Sequence, residues 1–287
     1  MKIRFIVNPI AGNRTQKNIN TLLEKYLTEK YDIFYTKKRG DARLLAKQAI
    51  KEGINKIISV GGDGTINEIA SVIINTDKIL GVIPCGSGNG FAYHIGMSNK
   101  IKEAIKQLNS SKIRTIDSGI INNQHFLNVS GVGFDAHIAN IFSKFINRGF
   151  INYIRVILKN LHYKSKNYII EYNNKVIKRD AFLIAFANSS QYGNNAYISP
   201  RAKISDGLLD VVIIKKFSKW RLPFMFYMMF KGNIHNSRYV EIIQAKKIKI
   251  TTKEEMTHLD GESYKLNNPL HVKINHKSLK ILVPNEK

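Results

Sequence analysis

The residues with the clearest chemical potential are Asp63, inside Gly61-Gly62-Asp63-Gly64-Thr65, and the pair Asp260 and Glu262 in Leu259-Asp260-Gly261-Glu262. Three glycines around one carboxylate permit positive φ and close approach of a ligand to the backbone. A helical pattern opens at about Thr65, and a helix start presents unpaired N–H groups and a positive dipole end. That combination is an anion site. A carboxylate inside it needs a cation or a proton donor beside it. Two roles meet that need: Asp63 holds Mg2+, directly or through water, or it accepts the proton of an attacking hydroxyl. Both roles belong to phosphoryl transfer. The plainer alternative is a strand–turn–helix corner with Asp63 as its N-cap.

A second glycine turn, Gly86-Ser87-Gly88-Asn89-Gly90, follows the next strand-like run. In open α/β sheets ligands gather outside the C-terminal strand ends. The two glycine turns, the turn Asn8-Pro9-Ile10-Ala11-Gly12 and Thr36 would therefore line one crevice. Other phosphate schemes fit poorly. No glycine is followed by lysine, so GxxxxGK[ST] is absent. The first turn has a single glycine, which excludes the dinucleotide fingerprint there. The run GVGFDA (131–136) lacks the third glycine and carries no assignment. For Asp260 and Glu262 the alternative is a surface hairpin with incidental charges.

The elements that must position these residues alternate at first. Strand patterns at 3–7, 31–36, 56–60 and 79–84 alternate with helical patterns at 20–27, 41–53 and 66–74. Asp41 is the expected N-cap and Gly53 the stop of the second helix. This rhythm predicts an α/β domain with a parallel sheet covered on both faces. After about residue 117 the pattern becomes β-rich. Runs at 119–129 and 167–180 read as hairpins turning on Asn pairs, and further strands are expected at 181–188, 208–214, 246–252 and 271–274. Two apolar and basic segments of helical character, 141–163 and 219–231, interrupt them. The expected domains are 1–117 and 118–287, with a last strand, 279–284, returning to the first domain.

Composition narrows the partners. The chain has 287 residues and a net charge of +24, so nucleic acid, anionic lipid or phosphorylated small molecules are the candidates. The single Cys85 excludes an internal disulfide and is read as packed at a strand end. No apolar run reaches membrane-span length, and a signal peptide pattern is absent. The eight histidines show no metal spacing.

Five motifs taken in order are specific. Asn8–Gly12, Gly61–Glu68, Gly86–Ala92, the run PRAKISDGLLDV (200–211) and Leu259–Glu262 resemble the diacylglycerol kinase catalytic-domain family, which includes bacterial lipid kinases, sphingosine kinases and ceramide kinases. The resemblance covers essentially the whole chain. It implies an N-terminal nucleotide domain of phosphofructokinase and NAD-kinase type and a β-sandwich-like lipid domain. It implies ATP and Mg2+ as cofactors and a lipid hydroxyl as acceptor, with a role in phospholipid biosynthesis. Asn8, Pro9, Gly12, Thr36, Gly61, Gly62, Gly64, Thr65, Asn67, Glu68, Gly86, Ser87, Gly88 and Asn89 would contact nucleotide. Asp63, Asp260 and Glu262 would be catalytic, with Glu262 as proton acceptor and Asp63 a candidate ligand of the catalytic Mg2+. Lys203, Asp206 and Leu208 match a structural magnesium site, where Lys203 and Leu208 would offer backbone carbonyls. One position departs. Many diacylglycerol-type members carry aspartate where this chain has Gly90, and GSGNG is closer to sphingosine-kinase-like sequences.

A lipid kinase must reach a membrane. The segments 142–166 and 219–235 mix aromatic and aliphatic residues with Lys and Arg, as interfacial helices do. The alternative is internal capping of the lipid domain. The expectation is a cytoplasmic protein, peripheral at the inner membrane surface, with a homodimer allowed. Nucleic acid is not an expected partner, because the lysines are spread and no reader motif is present. Two other functions stay open: a non-catalytic lipid- or nucleotide-binding member of the fold, and a kinase of a non-lipid metabolite, as in NAD kinases.

Overall fold

The computed structural model describes residues 2–12, 15–145, 150–265 and 268–285. The chain forms two units, Met1–Ile116 with Lys277–Lys287, and Asp117–His276.

The first unit runs β1 (Ile3–Val7), α1 (Ile19–Tyr26), β2 (Tyr31–Tyr35), α2 (Asp41–Lys51), β3 (Lys56–Gly61), α3 (Asp63–Ile73), β4 (Ile79–Pro84), α4 (Gly90–His94), α5 (Ile101–Asn109) and the start of β5 (Lys112–Ile121). Its strands stand side by side in the order β2-β1-β3-β4, all parallel. The strands β1 and β4 are buried at every position, as a sheet covered on both faces requires. Helices meet the sheet through stripes at helical spacing, such as Ala42, Ala46 and Ala49 of α2. Two expectations shift. Gly40, not Asp41, is the N-cap of α2, and the Asp41 carboxylate instead accepts the amides of Lys37 and Lys38. The third helix begins at Asp63, two residues before Thr65, because Gly62 takes the extended cap conformation.

One charged side chain is buried in this sheet. Arg4 forks onto Asp32 at 3.0 and 2.8 Å, reaches Glu52 at 2.6 Å, and lies 4.1 Å from the Phe34 ring centre. Hydrogen bonding to Arg4 holds both carboxyls below their ordinary range. A depressed carboxyl stabilises fully above its unfolded-state value, about 4, and the gain is lost as pH falls through the depressed value. Arg4→Met should lower stability at neutral pH by about 2 kcal/mol through loss of the Asp32 fork. Its thermal midpoint should then fall less between pH about 4 and lower values than the parent's. Calorimetry across that range checks both.

The second unit continues with β6 (Gln124–Phe126), β7 (Val129–Gly133), α6 (Phe134–Ser143), α7 (Phe150–Lys159), β8 (Lys166–Tyr172), β9 (Lys175–Ala187), β10 (Leu209–Lys215), α8 (Leu222–Phe230), β11 (Val240–Ala245), β12 (Lys247–Thr251), β13 (Met256–Leu259), β14 (Glu262–Lys265) and β15 (Leu270–Val283). The Asn pairs do turn the hairpins, with φ of 43° and 71° at Asn122 and Asn123, and 45° and 60° at Asn173 and Asn174. The first part of β9 pairs with β8, and its second part lies between β7 and β10, all antiparallel. Period-2 alternation then splits the core. Ile184, Phe186, Val211 and Ile213 face a strand-lined cluster with Ile170, Ile250 and Val272. Leu183, Ala185, Val212 and Ile214 face a second cluster with Phe134 and Ile138 of α6, Val156 and Ile157 of α7, and Met225 and Met228 of α8. Both faces are thus covered, which explains the unbroken apolar runs.

Two pairs of expected strands are single strands here. The runs 175–180 and 181–188 fuse into β9, because Arg179, Asp180 and Ala181 stay paired with Tyr168, Asn167 and Lys166 of β8. The runs 271–274 and 279–284 fuse into β15, within which Lys277 takes a positive φ of 51°. The last part of β15 pairs parallel with β4 in the first unit's sheet, at Lys280 and Ile281. The segment read as 141–163 resolves into α6 and α7, with 146–149 outside the described residues.

Candidate functional site

The ends of β1, β3 and β4 are adjacent in the ladder, with Val7 opposite Val60 and Gly61 opposite Pro84. The turns after them therefore meet. Amides extend the ladder one residue further: Asn8 N donates to Val60 O at 2.9 Å, Cys85 N to Gly61 O at 2.8 Å, and Thr36 N to Val7 O at 2.9 Å. The approach is close enough to exclude side chains. A Cβ on Gly12 would stand 2.1 Å from Cys85 O, and one on Gly86 would stand 2.5 Å from Gly62 Cα. The three turns expected to line one crevice do converge within the first unit.

Several residues expected at nucleotide build these turns. Asn8 accepts the Ile10 amide at 3.2 Å and donates to Thr65 Oγ1 at 3.3 Å. Asn89, in the left-handed conformation at φ 54°, accepts the Gly86 amide and donates to Gly86 O, both at 2.8 Å. Glu68 accepts the Gly40 amide at 2.9 Å and so fixes the turn before α2. Gln16, which the sequence did not single out, is buried and ties Asn8 O to Ala11 O. Thr65 packs beneath Gly61, where a Cβ would meet its Oγ1 at 2.6 Å. Gly64 lies in the first turn of α3 and Asn67 in its second; Gly88 is half-buried, and Pro9 and Ser87 are exposed.

Asp63 does not cap its own helix. Its carboxylate crosses to α4 and accepts the amides of Gly90 and Phe91, each at 3.3 Å. The short helix α4 starts just after Asn89, and its first N–H groups lack intrahelical acceptors. The Asp63 carboxylate is thereby stabilised by a second helix start. One of the two residues whose amides it holds is Gly90, in the second glycine turn. At the other end of α4, His94 is kept neutral: burial, then the charge of Arg114, lowers it to about 4.

In the second unit Asp260 and Gly261, at φ 50° and 85°, form a two-residue turn between β13 and β14, with Leu259 opposite Glu262. Positive φ at both residues is the type I′ signature. The Asp260 carboxylate accepts the amides of Leu127 and Asn128 at 2.9 and 2.8 Å. It clamps the β13–β14 turn to the strand connection before β7. Glu262 opens β14 and is half-buried. Of the pair, Asp260 holds backbone amides, and Glu262 is the first residue of the strand that follows the turn.

For metal, the donor set is all hard oxygen, which suits Mg2+. Asp206 is exposed, and its Oδ1 accepts the Leu208 amide at 3.0 Å. Among the described residues no three His, Cys, Asp or Glu side chains gather as a metal group. The Lys203–Leu208 turn therefore fits Mg2+ only with backbone carbonyls as the remaining ligands. Asp63 offers a single half-buried carboxylate beside the converging turns. Cys85 is buried, as its strand-end position suggested.

An α/β unit with converging turns at its strand ends, followed in the chain by a β-rich, mainly antiparallel unit, defines a two-unit class of protein. Residues 2–121 match the diacylglycerol kinase catalytic domain, and residues 128–283 match the YegS C-terminal NAD kinase β-sandwich-like domain. The chain belongs to the diacylglycerol kinase catalytic-domain family. It is 28% identical over 273 residues to a diacylglycerol kinase of Bacillus subtilis (strain 168), covering 91% of this chain and 89% of that one. It is 29% identical over 272 residues to a diacylglycerol kinase of Staphylococcus haemolyticus (strain JCSC1435), covering 90% and 81%. A crystal structure of a diacylglycerol kinase from Bacillus anthracis str. Sterne shares the fold, with a TM-score of 0.75, 24% identity, and coverage of 99% of this chain and 97% of that one.

Proposed function

We propose that this chain is an ATP- and Mg2+-dependent kinase that transfers the γ-phosphoryl group to a lipid hydroxyl. The observation that carries the reading is the convergence of the two glycine turns and the Asn8–Gly12 turn beside Asp63, in a chain of this family. Backbone N–H groups at Gly62–Thr65 and Ser87–Asn89 hold the nucleotide phosphates, while the Gly86 amide is kept by Asn89. When bound, Mg2+ offsets the charge of the transferring phosphoryl group. Glu262 accepts the proton of the acceptor hydroxyl, and Asp260 keeps the turn that carries Glu262 in place. Lys203, Asp206 and Leu208 hold a second, structural Mg2+. The acceptor is diacylglycerol-like or sphingoid-like, and Gly90 favours the sphingoid side. The test is transfer from labelled ATP, with Mg2+ and anionic vesicles, to diacylglycerol, a sphingoid base, ceramide and NAD in parallel. Label on a lipid supports the reading; label on NAD alone, or on none, overturns it.

The reading includes attachment to an anionic membrane surface, as at the inner face of a cell membrane, through α8. That helix buries Leu222, Met225 and Met228. It turns outward Phe224 and Tyr227, with Trp220, 93% exposed, just before it. Lys216, Lys219, Arg221 and Lys231 are exposed around this aromatic stripe, and no acid occurs between 211 and 240. The helix α7 points Val156 and Ile157 into the core and suits internal capping instead. No described helix is long and apolar enough to cross a membrane. Replacing Trp220 and Phe224 together by Ala should weaken binding to anionic vesicles about tenfold or more. Salt should weaken the parent's binding as well. Unchanged binding of the double variant in a sedimentation assay would remove α8 from the role.

A further inference from the structure

The run 131–136 and His258 carry no functional signal in the sequence. The fold brings them together beneath the turn that carries Glu262. Strand β13 pairs with β7, so that His258 lies opposite Gly131. Helix α6 begins immediately after β7 and places Asp135 in its first turn. A Cβ on Gly131 would stand 2.5 Å from Asp135 Oδ2. Only glycine there lets the carboxylate fold back over the strand. Asp135 Oδ2 accepts the Tyr192 hydroxyl at 3.0 Å and pairs with His258 Nε2 at 3.0 Å. Its Oδ1 accepts the Ala136 amide at 2.8 Å. At the other ring nitrogen, His258 Nδ1 lies 3.3 Å from the Gly261 amide. Both Asp135 and His258 are buried.

These contacts fix the protons. A backbone N–H only donates, so His258 Nδ1 must be the acceptor. An ionised carboxylate only accepts, so Nε2 carries the hydrogen. Tyr192 donates because burial, then the nearby Asp135 charge, raises its hydroxyl well above the ordinary value. The chain of hydrogen bonds runs from Tyr192 and His258 into Asp135, and from Gly261 into His258. It ends on the one residue between Asp260 and Glu262. Buried polar groups of this kind often give no net stability over apolar ones, so their placement points to specificity of position.

We infer that Asp135 and His258 are positioning residues for Glu262: Asp135 locks the Nε2–H tautomer of His258, and that tautomer holds the Gly261 amide and hence the carboxylate beside it. The inference deepens the proposed function and rests on Glu262 serving as the base.

Two measurements test it. Long-range 1H–15N correlation on the parent protein should show His258 protonated at Nε2 and not at Nδ1. This arm needs no activity, so it stands even if no lipid acceptor is found; a Nδ1–H tautomer or a doubly protonated ring at neutral pH overturns the inference. In the transfer assay, His258→Phe should lower kcat by about 10- to 100-fold with KM for ATP unchanged. His258→Asn, whose Oδ1 can still accept from Gly261, should recover part of that loss. Asp135→Asn should lower kcat in the same way, because its amide permits the other tautomer. A kcat within about twofold of the parent in both His258→Phe and Asp135→Asn, or a loss in His258→Asn equal to that in His258→Phe, overturns it. Thermal midpoints of each variant separate lost positioning from lost folding.

Discussion

Glu262→Gln should lower phosphoryl transfer by about 10²-fold or more while nucleotide binding stays intact. The two side chains match in shape and reach, and only the glutamate accepts a proton at neutral pH. Glu262 stands at the first residue of β14, directly after a turn whose geometry is set by other groups: positive φ at Asp260 and Gly261, and the Asp260 clamp on Leu127 and Asn128. The substitution therefore leaves the turn in place and removes the chemistry. In the transfer assay kcat should fall with KM for ATP and the thermal midpoint unchanged. Near-normal kcat would take the base role away from Glu262. Asp260→Asn should behave differently. An amide has one acceptor oxygen where the carboxylate has two, so one of the two clamp amides loses its partner, and stability falls along with rate.

Asp63→Asn should also cost about 10²-fold or more in kcat, for a compound reason. The carboxylate accepts the Gly90 and Phe91 amides with separate oxygens. Asparagine keeps one acceptor and turns an N–H2 group toward the other amide. The negative charge at the start of α4 is lost as well. The same carboxylate is the group proposed to hold Mg2+, so the Mg2+ concentration needed for half-maximal rate should rise in the variant. A rate loss without any change in Mg2+ dependence would assign Asp63 to fixing the second glycine turn alone. Near-normal rate would remove it from both roles.

The parts legible in the sequence were those whose signal is local. Strand, glycine turn and helix start follow one another within a dozen residues, so Gly61–Thr65 and Gly86–Asn89 are legible as turns between a strand and a helix. The convergence of those turns followed from strand adjacency in a parallel sheet. The partner of Asp63 was not legible, since Gly90 and Phe91 are 27 and 28 residues away and only the convergence brings α4 under that carboxylate. The Asp135–His258 pair spans 123 residues and was hidden twice. Its aspartate sat in an incomplete glycine motif, and its histidine had no metal spacing. Only the register of β13 against β7, with a glycine opposite, creates the contact. The fused strands β9 and β15 are hard to read as single strands because Arg179–Asp180 and Asn275–Lys277 mimic loop composition, although Arg179 and Asp180 stay paired with Tyr168 and Asn167 of β8.

The central claim, a kinase acting on a lipid hydroxyl, is tested most directly by counting products. The protein is incubated with ATP, Mg2+ and anionic vesicles carrying a diacylglycerol or a sphingoid base, and ADP and phosphorylated lipid are quantified by mass spectrometry. One phosphorylated lipid should form for each ADP released, and both should vanish together in Glu262→Gln. ADP release without phosphorylated lipid, or lipid phosphorylation undiminished in Glu262→Gln, would contradict the account.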